Sequence, residues 1–222
     1  FWPAESHKRF IKGAFGKYVA PEVVNSIAEH DDDFLLGEKK TLSILFSDIR
    51  GFTSMSEKLD PQQVVELLNE YFTPMTAIIR NSRGTIDKFI GDAIMAFWNA
   101  PLDVEDHARM AVLSAMQMHG ALEKMNPAIK ERYGFTLAMG VGIHSGAAYV
   151  GNMGSEDMLN YTVIGDSVNT ASRLEGLCKE YGVGIIVSAD TMALCNDNES
   201  GYTFVPLDSI VVKGRQNALD IY

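Results

Sequence analysis

The chain has little cysteine, few basic residues and no long apolar stretch, and each shortage excludes something. Its two cysteines, Cys178 and Cys195, show neither a CxxC pair nor metal-ligand spacing, which favours free thiols in a reducing compartment. No apolar run reaches about 18 residues, so no segment is predicted to span a bilayer. Lys and Arg total 19 against 29 Asp and Glu, a net charge of −10. This acidic surface argues against non-specific binding to nucleic acid or anionic membrane.

Several catalytic signatures are also absent. The glycine-rich stretch 140–154, "GVGIHSGAAYVGNMG", lacks the GK[ST] ending of a phosphate-binding P-loop. His144 has no partner at metal-ligand spacing, so a place in the core or at an interface is the better interpretation. No Ser-His-Asp or Cys-His arrangement can be argued from the sequence, and nucleophilic catalysis of those kinds is not predicted.

What the chain does contain is 46% apolar residues, enough for one good core. Residues 1–37 are predicted to form an N-terminal helical linker, which ends in the charged stretch "EHDDDF" (29–34). Residues 38–222 are predicted to form the main domain. Because the chain opens on "FWPAESHKRF" without a starting Met, we expect it to be a fragment of a longer protein.

Strand and helix patterns in the main domain follow the order β-α-β-β-α-β. This order predicts an α/β fold, more closely an α+β sandwich, with a ferredoxin-like core and additional C-terminal strands. The predicted core elements are a strand within 39–48, a helix opened by Asp60-Pro61, a hairpin over 84–98, a helix over about 104–125, and two strands separated by a bend within 135–154. A short strand (158–165), a helix (166–182), a strand (183–188) and one or two more strands are expected to follow.

Two aspartates are placed where strands end. Asp48 closes a buried strand and Asp92 lies at the hairpin turn, and either alone is more often structural than functional. Adjacent strands would bring them together, and two carboxylates with open positions suit Mg²⁺ or Mn²⁺ carrying a phosphate. In "SDIRGFT", Gly51 lets the backbone approach a ligand closely, so the amides of Gly51, Phe52 and Thr53 could hold phosphate oxygens.

Other polar residues are candidates for an anion or a base. Asn169 and Arg173 are spaced i, i+4 on a predicted helix and share a face. Arg173 could stabilise charge on a phosphoryl group, although a surface arginine with a local hydrogen bond fits equally well. Lys88 could be a solvated strand lysine or a donor to a base or an anion, and Lys213 in "VVKGR" could meet a phosphate or only solvent.

Four stretches carry a resemblance to a known family. "LFSDIRGFT", "GTIDKFIGDAIMAFW", "GIHSGAAYVGNMG" and "YTVIGDSVNTASRLE" follow one another as they do in class III nucleotidyl cyclases, which the chain resembles over about 40–222. This family makes a 3′,5′-cyclic nucleotide and pyrophosphate from a nucleoside triphosphate. The resemblance implies that Asp48 and Asp92 hold two divalent cations, Mg²⁺ or Mn²⁺, together with the Ile49 carbonyl.

The resemblance also implies how the substrate is held. Lys88 matches the base-reading lysine of adenylyl cyclases. Its partner position falls at Thr162, where many animal adenylyl cyclases have Asp and a bacterial and soluble-type subgroup has Thr. A Thr hydroxyl can accept a hydrogen bond from the adenine amino group, so ATP is the expected substrate. Asn169 is implied to position the ribose, Arg173 to stabilise the transition state, and Lys213 to hold the terminal phosphates.

The family works as a head-to-tail dimer with its sites at the interface, so the resemblance implies a homodimer with two equivalent sites. One protomer supplies the metal ligands, and its partner supplies the base-reading pair with Asn169 and Arg173. The segment 1–37 resembles those that precede the catalytic domain in membrane-anchored or sensor-linked bacterial cyclases. We therefore expect a cytoplasmic catalytic domain whose upstream sensor or membrane domain is missing from this fragment.

Two other functions stay open from the sequence. The first is a guanylyl cyclase, which Lys88 and Thr162 make less favoured. The second is a catalytically inactive nucleotide-binding or dimerisation module of a signalling protein. The presence of Asp48, Asp92 and Arg173 argues against this second function. Asp87 has no implied role, and we expect it to support Lys88 or a neighbouring backbone group.

Overall fold

The computed structural model of the protein describes residues 37–155, 157–195, 202–211 and 218–222. Its elements in chain order are β1 (Glu38–Ile49), α1 (Phe52–Ser56), α2 (Pro61–Asn81), β2 (Thr85–Ile90), β3 (Ala93–Trp98), α3 (His107–Tyr133), β4 (Met139–Gly154), β5 (Leu159–Ile164), α4 (Asp166–Tyr181), β6 (Ile185–Val187), α5 (Ala189–Leu194), β7 (Asp208–Ile210) and β8 (Leu219–Ile221). Apart from Gly37, the N-terminal segment 1–37 lies outside the described residues, and its linker role stays a prediction.

The main sheet has the strand order β2-β3-β1-β4-β5. These neighbours pair antiparallel, and β6 adds to β4 in parallel. The predicted mixed α/β fold is confirmed, and the order β2-β3-β1-β4 is the one that a β-α-β-β-α-β core produces. The head-to-tail dimer concerns a second chain and stays a prediction.

Both faces of the sheet are covered, which explains why β1 is apolar without strict alternation. Leu45, like Ile94 of β3, lies in the cluster that packs against α2 and α3. Leu42 and Ile44 point to the other face, where they pack with Ala171 of α4. The metal-ligand candidates thus follow a strand that is held from both sides.

Helix α2 begins as the Asp60-Pro61 pair predicts. The Asp60 carboxylate accepts from the Gln63 amide at 2.9 Å, and the Gln63 side chain accepts from the Asp60 amide at 3.1 Å, which is a complete capping box. The buried face of α2 consists of Leu67, Tyr71, Met75 and Ile79. Three residues predicted for that face are only partly buried, namely Val64, Leu68 and Phe72.

The prediction of two strands and a bend within 135–154 is wrong, because β4 is one strand of 16 residues. It pairs with β1 along most of its length, with β6 at one end and with β5 at the other. Gly142 serves close packing instead of a bend, since α4 lies directly against it. Helix α3 also runs further than predicted, to Tyr133, and the two short helices α1 and α5 were not predicted.

Within the described ranges, no helix is both long and apolar enough to cross a membrane.

Candidate active site

The two candidate metal ligands meet at one end of the sheet. Asp48 is the next-to-last residue of β1, and Asp92 follows Gly91 in the turn between β2 and β3. Because β3 pairs with β1, the turn lies beside the end of β1. The Ile49 amide donates a hydrogen bond to Asp92 Oδ2 at 3.1 Å, and the Asp92 carboxyl shares a hydrogen bond with Asp48.

This proximity has an electrostatic cost. Burial, followed by the hydrogen bond and the charge of Asp48, raises the pKa of Asp92 to about 7. Two carboxylates held this close repel each other unless one takes a proton or a cation lies between them. A positive charge between the carboxylates of Asp48 and Asp92 would therefore relieve their repulsion.

The donors at this point fit a hard divalent cation. Asp48 and Asp92 offer carboxylate oxygens, and the Ile49 carbonyl is the third donor that the resemblance implies. No group of three or more His, Cys, Asp or Glu side chains able to hold a metal occurs among the described residues. A site with few protein ligands suits Mg²⁺ or Mn²⁺, which keep positions for water and substrate phosphates.

Gly51 links the end of β1 to α1, and Phe52 and Thr53 are the first two residues of that helix. Gly51 has a φ of 68° and precedes the short helix α1, so glycine is suited to this left-handed position. A Cβ built at Gly51 would meet no atom within 4 Å. The space beside Gly51 is therefore open, and the role of the amides of residues 51–53 toward phosphate stays a prediction.

The candidate base-reading residues meet across two strands that are far apart in the strand order. Lys88 of β2 donates from Nζ to Thr162 Oγ1 of β5 at 3.4 Å. The strands β2 and β5 stand at opposite ends of the order β2-β3-β1-β4-β5, so the coiled sheet brings its edges together here. The structure places the two residues as neighbours, and their role toward a base stays a prediction.

Asp87 connects this pair. Its Oδ1 lies 3.1 Å from Lys88 Nζ, and its Oδ2 accepts from the Thr162 hydroxyl at 2.6 Å and from the Val163 amide at 3.4 Å. The contacts with Lys88 and the Val163 amide agree with the expectation that Asp87 supports Lys88 or a neighbouring backbone group. The contact with Thr162 was not predicted, because neither periodicity nor spacing reveals a contact with β5.

Asn169 and Arg173 lie one turn apart on α4, with Asn169 exposed and Arg173 half-buried. The hydrogen bonds described above join neither of them to the carboxylates or to the Lys88–Thr162 pair. Lys213 lies outside the described residues. The roles of all three stay predictions.

Glu175 is a further carboxylate near this end of the sheet that the sequence analysis missed. It lies on α4, where burial and then the charge of Asp48 raise its pKa to about 7, with Arg50 acting in the opposite direction. Arg50 itself donates to the backbone carbonyls of Cys178 and Val183. Helix α4 is thereby tied to the segment that directly follows Asp48.

Comparison with known proteins places this geometry in a family. The model of the adenylate and guanylate cyclase catalytic domain matches residues 36–222. Adenylate cyclase 1 of Rhizobium meliloti is 39% identical over 184 residues, which cover 83% of this chain and 27% of that protein. The chain spans 27% of that protein, 42% of the adenylate cyclase of Anabaena cylindrica and 10% of a terminal-differentiation specific adenylate cyclase of Dictyostelium discoideum.

Solved structures of both kinds of cyclase resemble the chain. The adenylyl cyclase CyaB from P. aeruginosa is 35% identical, with a TM-score of 0.77 and coverage of 85% of this chain and 95% of that one. The guanylyl cyclase Cya2 is 37% identical, with a TM-score of 0.75 and coverage of 83% and 91%. Overall similarity therefore does not decide between ATP and GTP as the substrate. That choice depends on the candidate base-reading residues, Lys88 and Thr162.

Proposed function

The chain belongs to the adenylate and guanylate cyclase catalytic domain family, and from this we propose that it is the catalytic domain of an adenylyl cyclase that converts ATP to 3′,5′-cyclic AMP and pyrophosphate. The observation that carries the choice of ATP is the contact of Lys88 with Thr162 at 3.4 Å. A lysine ammonium can donate to the adenine ring nitrogen N1, and the Thr hydroxyl can accept from the adenine amino group.

The two carboxylates and the turn after them would hold the phosphate end. Asp48, Asp92 and the Ile49 carbonyl would bind two Mg²⁺ or Mn²⁺ ions, which when present lower the pKa of the ribose 3′-hydroxyl and neutralise phosphate charge. The amides of residues 51–53 follow Asp48 and Ile49 in the chain and would bind phosphate oxygens. The raised pKa of Asp92 supports this assignment, because it marks a place that favours positive charge.

The remaining residues would position the reacting atoms and stabilise charge. The 3′-oxygen forms a bond to the α-phosphorus, the bond from that phosphorus to the bridging oxygen breaks, pyrophosphate leaves and the hydroxyl proton passes to solvent. Arg173 would stabilise the negative charge that develops on the phosphoryl oxygens. Asn169 would hold the ribose in line, and Lys213 would hold the terminal phosphates.

We propose that two copies of the chain share each site, with the metal ligands from one and Lys88, Thr162, Asn169 and Arg173 from the other. The β2–β3 hairpin would then serve two sites, one through Asp92 and one through Lys88. Exposed apolar side chains lie beside Lys88 on β2 and beside Thr162 on β5, and they support an interface at these strands. They are Phe89 and Ile90 on β2, and Leu159 and Ile164 on β5.

The decisive assay incubates the purified domain with ATP or GTP and Mg²⁺ or Mn²⁺, and identifies the product by mass. Cyclic AMP from ATP is the expected result. Cyclic GMP from GTP alone would establish the guanylyl alternative, which the similarity to Cya2 keeps in consideration. No cyclic product under any pairing would favour an inactive nucleotide-binding module.

Shared sites are tested by mixing two inactive variants. Asp48→Ala removes a metal ligand and Arg173→Ala removes the charge-stabilising group, so each homodimer is expected to be inactive. In a mixed dimer one of the two sites keeps both residues, and part of the activity should return. No recovery, with mixed dimers shown to form, would refute the shared-site arrangement.

The surroundings of the domain are also proposals. Neither cysteine is part of a disulfide, which fits a cytoplasmic location where ATP is abundant. Since the matched adenylate cyclases are longer than this chain, we propose that an upstream sensor or membrane domain controls the catalytic domain in the whole protein.

A further inference from the structure

Resting on the function proposed above, we propose that Asp87 is a positioning residue that sets base specificity: it fixes the hydroxyl proton of Thr162 so that Lys88 and Thr162 together read adenine and reject guanine. The inference starts from the burial of Asp87. Its side chain is 1% exposed, whereas the adjacent Lys88 is 46% exposed. The carboxylate is thus enclosed by its partners, while the lysine reaches toward a ligand.

A β-bulge makes this contact possible. Ile86 pairs with Ala96 on β3. Lys88 then pairs with Met95, the very next residue, and Asp87 is left as the extra residue of the bulge. In a regular strand, neighbouring side chains would point to opposite faces. The bulge turns the two neighbours so that Asp87 and Lys88 meet each other and Thr162.

The hydrogen bonds decide which way the Thr162 hydroxyl points. A hydroxyl has one proton and two lone pairs. The proton goes to Asp87 Oδ2, because a carboxylate only accepts, and the distance of 2.6 Å is typical of a strong, charge-assisted bond. Lys88 donates to one lone pair. Among the described contacts, the second lone pair is left to accept from a ligand.

The contacts of Lys88 likewise limit how many of its ammonium protons can reach a ligand. Of its three protons, one faces Asp87 Oδ1 and one faces Thr162 Oγ1, so one remains for a ligand among the described contacts. The pair therefore presents one donor and one acceptor. Adenine offers the matching edge, with N1 as acceptor and the 6-amino group as donor. Guanine has the reverse, with O6 as acceptor and N1–H as donor.

The carboxylate is essential to this logic because Thr162 alone has no fixed polarity. A freely rotating hydroxyl could donate to guanine O6 as readily as it accepts from the adenine amino group. The Val163 amide also donates to Asp87 Oδ2, at 3.4 Å, and helps hold the carboxylate in place. Specificity would thus depend on a residue that does not itself touch the base.

Asp87→Asn tests the proposal with almost no change in size. The Lys88 ammonium should retain the amide oxygen, so the amide nitrogen faces Thr162 and donates to it. The hydroxyl proton is then released toward the base. We expect the preference for ATP over GTP, as the ratio of the two kcat/KM values, to fall about 10- to 100-fold. Asp103→Asn is the matched control, since Asp103 is an exposed carboxylate that pairs with Lys40, and it should keep the wild-type ratio.

Variants at Thr162 separate positioning from a merely structural role. Thr162→Val removes the hydroxyl and should lower the ATP preference. In that background, adding Asp87→Asn should change the ratio less than about twofold, because Asp87 acts through the missing hydroxyl. Thr162→Ser should keep the preference. Independent effects of the two substitutions on the ratio would overturn the proposal.

Binding gives a second readout that does not depend on turnover. Dissociation constants for 3′-deoxy-ATP and 3′-deoxy-GTP, which cannot cyclise, should change in the same ratio as the kinetic preference. If Asp87→Asn does not fold, Asp87→Glu takes its place, because a further methylene moves the carboxylate away from the hydroxyl and should also lower the preference. A wild-type ratio in the folded variant refutes this inference alone, whereas a wild-type protein that neither binds nor converts ATP refutes the proposed function.

Discussion

Gly142 lies where β4 passes beneath α4, and the helix backbone fills the space that a side chain would need. A Cβ at this position would lie 2.1 Å from the Glu175 nitrogen, 2.5 Å from the Ala171 carbonyl oxygen and 2.7 Å from the Leu174 carbonyl carbon. Non-bonded contacts need about 3.5 Å, so Gly142→Ala must push α4 away by roughly 1 Å. Backbone atoms cannot rotate aside, and relief has to come from moving the whole helix.

Overpacking of this kind costs about 3 kcal/mol. For a chain of 222 residues that lowers the melting temperature by about 6 to 12 °C. Because α4 also carries Asn169 and Arg173, we expect cyclase activity to fall by about two orders of magnitude even well below the melting temperature. The loss should appear mainly in kcat, since these residues are proposed to act on the transition state.

The same helix offers a matched control. Gly176 also lies on α4, but a Cβ there would meet no atom within 4 Å. Gly176→Ala should therefore raise stability by about 0.5 to 1 kcal/mol through helix propensity and leave activity unchanged. Thermal unfolding by circular dichroism and product formation at one low temperature measure both effects. Wild-type melting and wild-type activity in Gly142→Ala would refute the close packing of α4 on β4.

Three further predictions concern charge, capping and thiol reactivity. Without metal at pH 8, Asp92→Asn should raise the melting temperature by a few degrees, because the folded state raises the pKa of Asp92 from 3.8 to about 7 and loses stability as the pH rises through that range. The gain in melting temperature should fade toward about pH 4, and Mg²⁺ should stabilise only the wild type. A gain that does not depend on pH would contradict this account. Asp60→Ala removes the capping box of α2 and should cost about 1 kcal/mol in urea unfolding, whereas an unchanged midpoint would argue against the cap. Burial raises the pKa of Cys178 to about 11, so a thiol reagent at pH 8 should modify it only on unfolding, and rapid labelling of the folded protein would disprove its burial.

Local patterns were sufficient for much of the fold. The start of α2 follows from the side chains of Asp60 and Gln63 and from Pro61, which act within four residues of one another. The hairpin follows from Gly91-Asp92 between two apolar runs, and Gly91 does adopt a left-handed φ of 64°. Such features depend on neighbours in the chain, so they can be read without knowing the tertiary structure.

The continuity of β4 could not be predicted in this way. Its glycines look like a bend when only the sequence is considered, because glycine weakens a strand. Gly142 is instead required by the backbone of α4, an element that begins 24 residues later in the chain than Gly142. The partner that explains the glycine becomes visible only when the helix is docked.

In the candidate active site too, some features follow from the sequence and others only from the tertiary structure. The sequence by itself determined that Asp48 and Asp92 flank paired strands, that Asn169 and Arg173 share a helix face, and which family the motifs resemble, because these follow from spacing and from the order of motifs. Only the tertiary structure showed that Asp87 also accepts a hydrogen bond from the Thr162 hydroxyl. A bulge turns it toward the same side as Lys88, and the coiled sheet carries Thr162 from the opposite edge to within 2.6 Å. Neither a change in strand register nor a contact between distant edges leaves a periodic signal, so no pattern of residue types could have revealed the contact between Asp87 and Thr162.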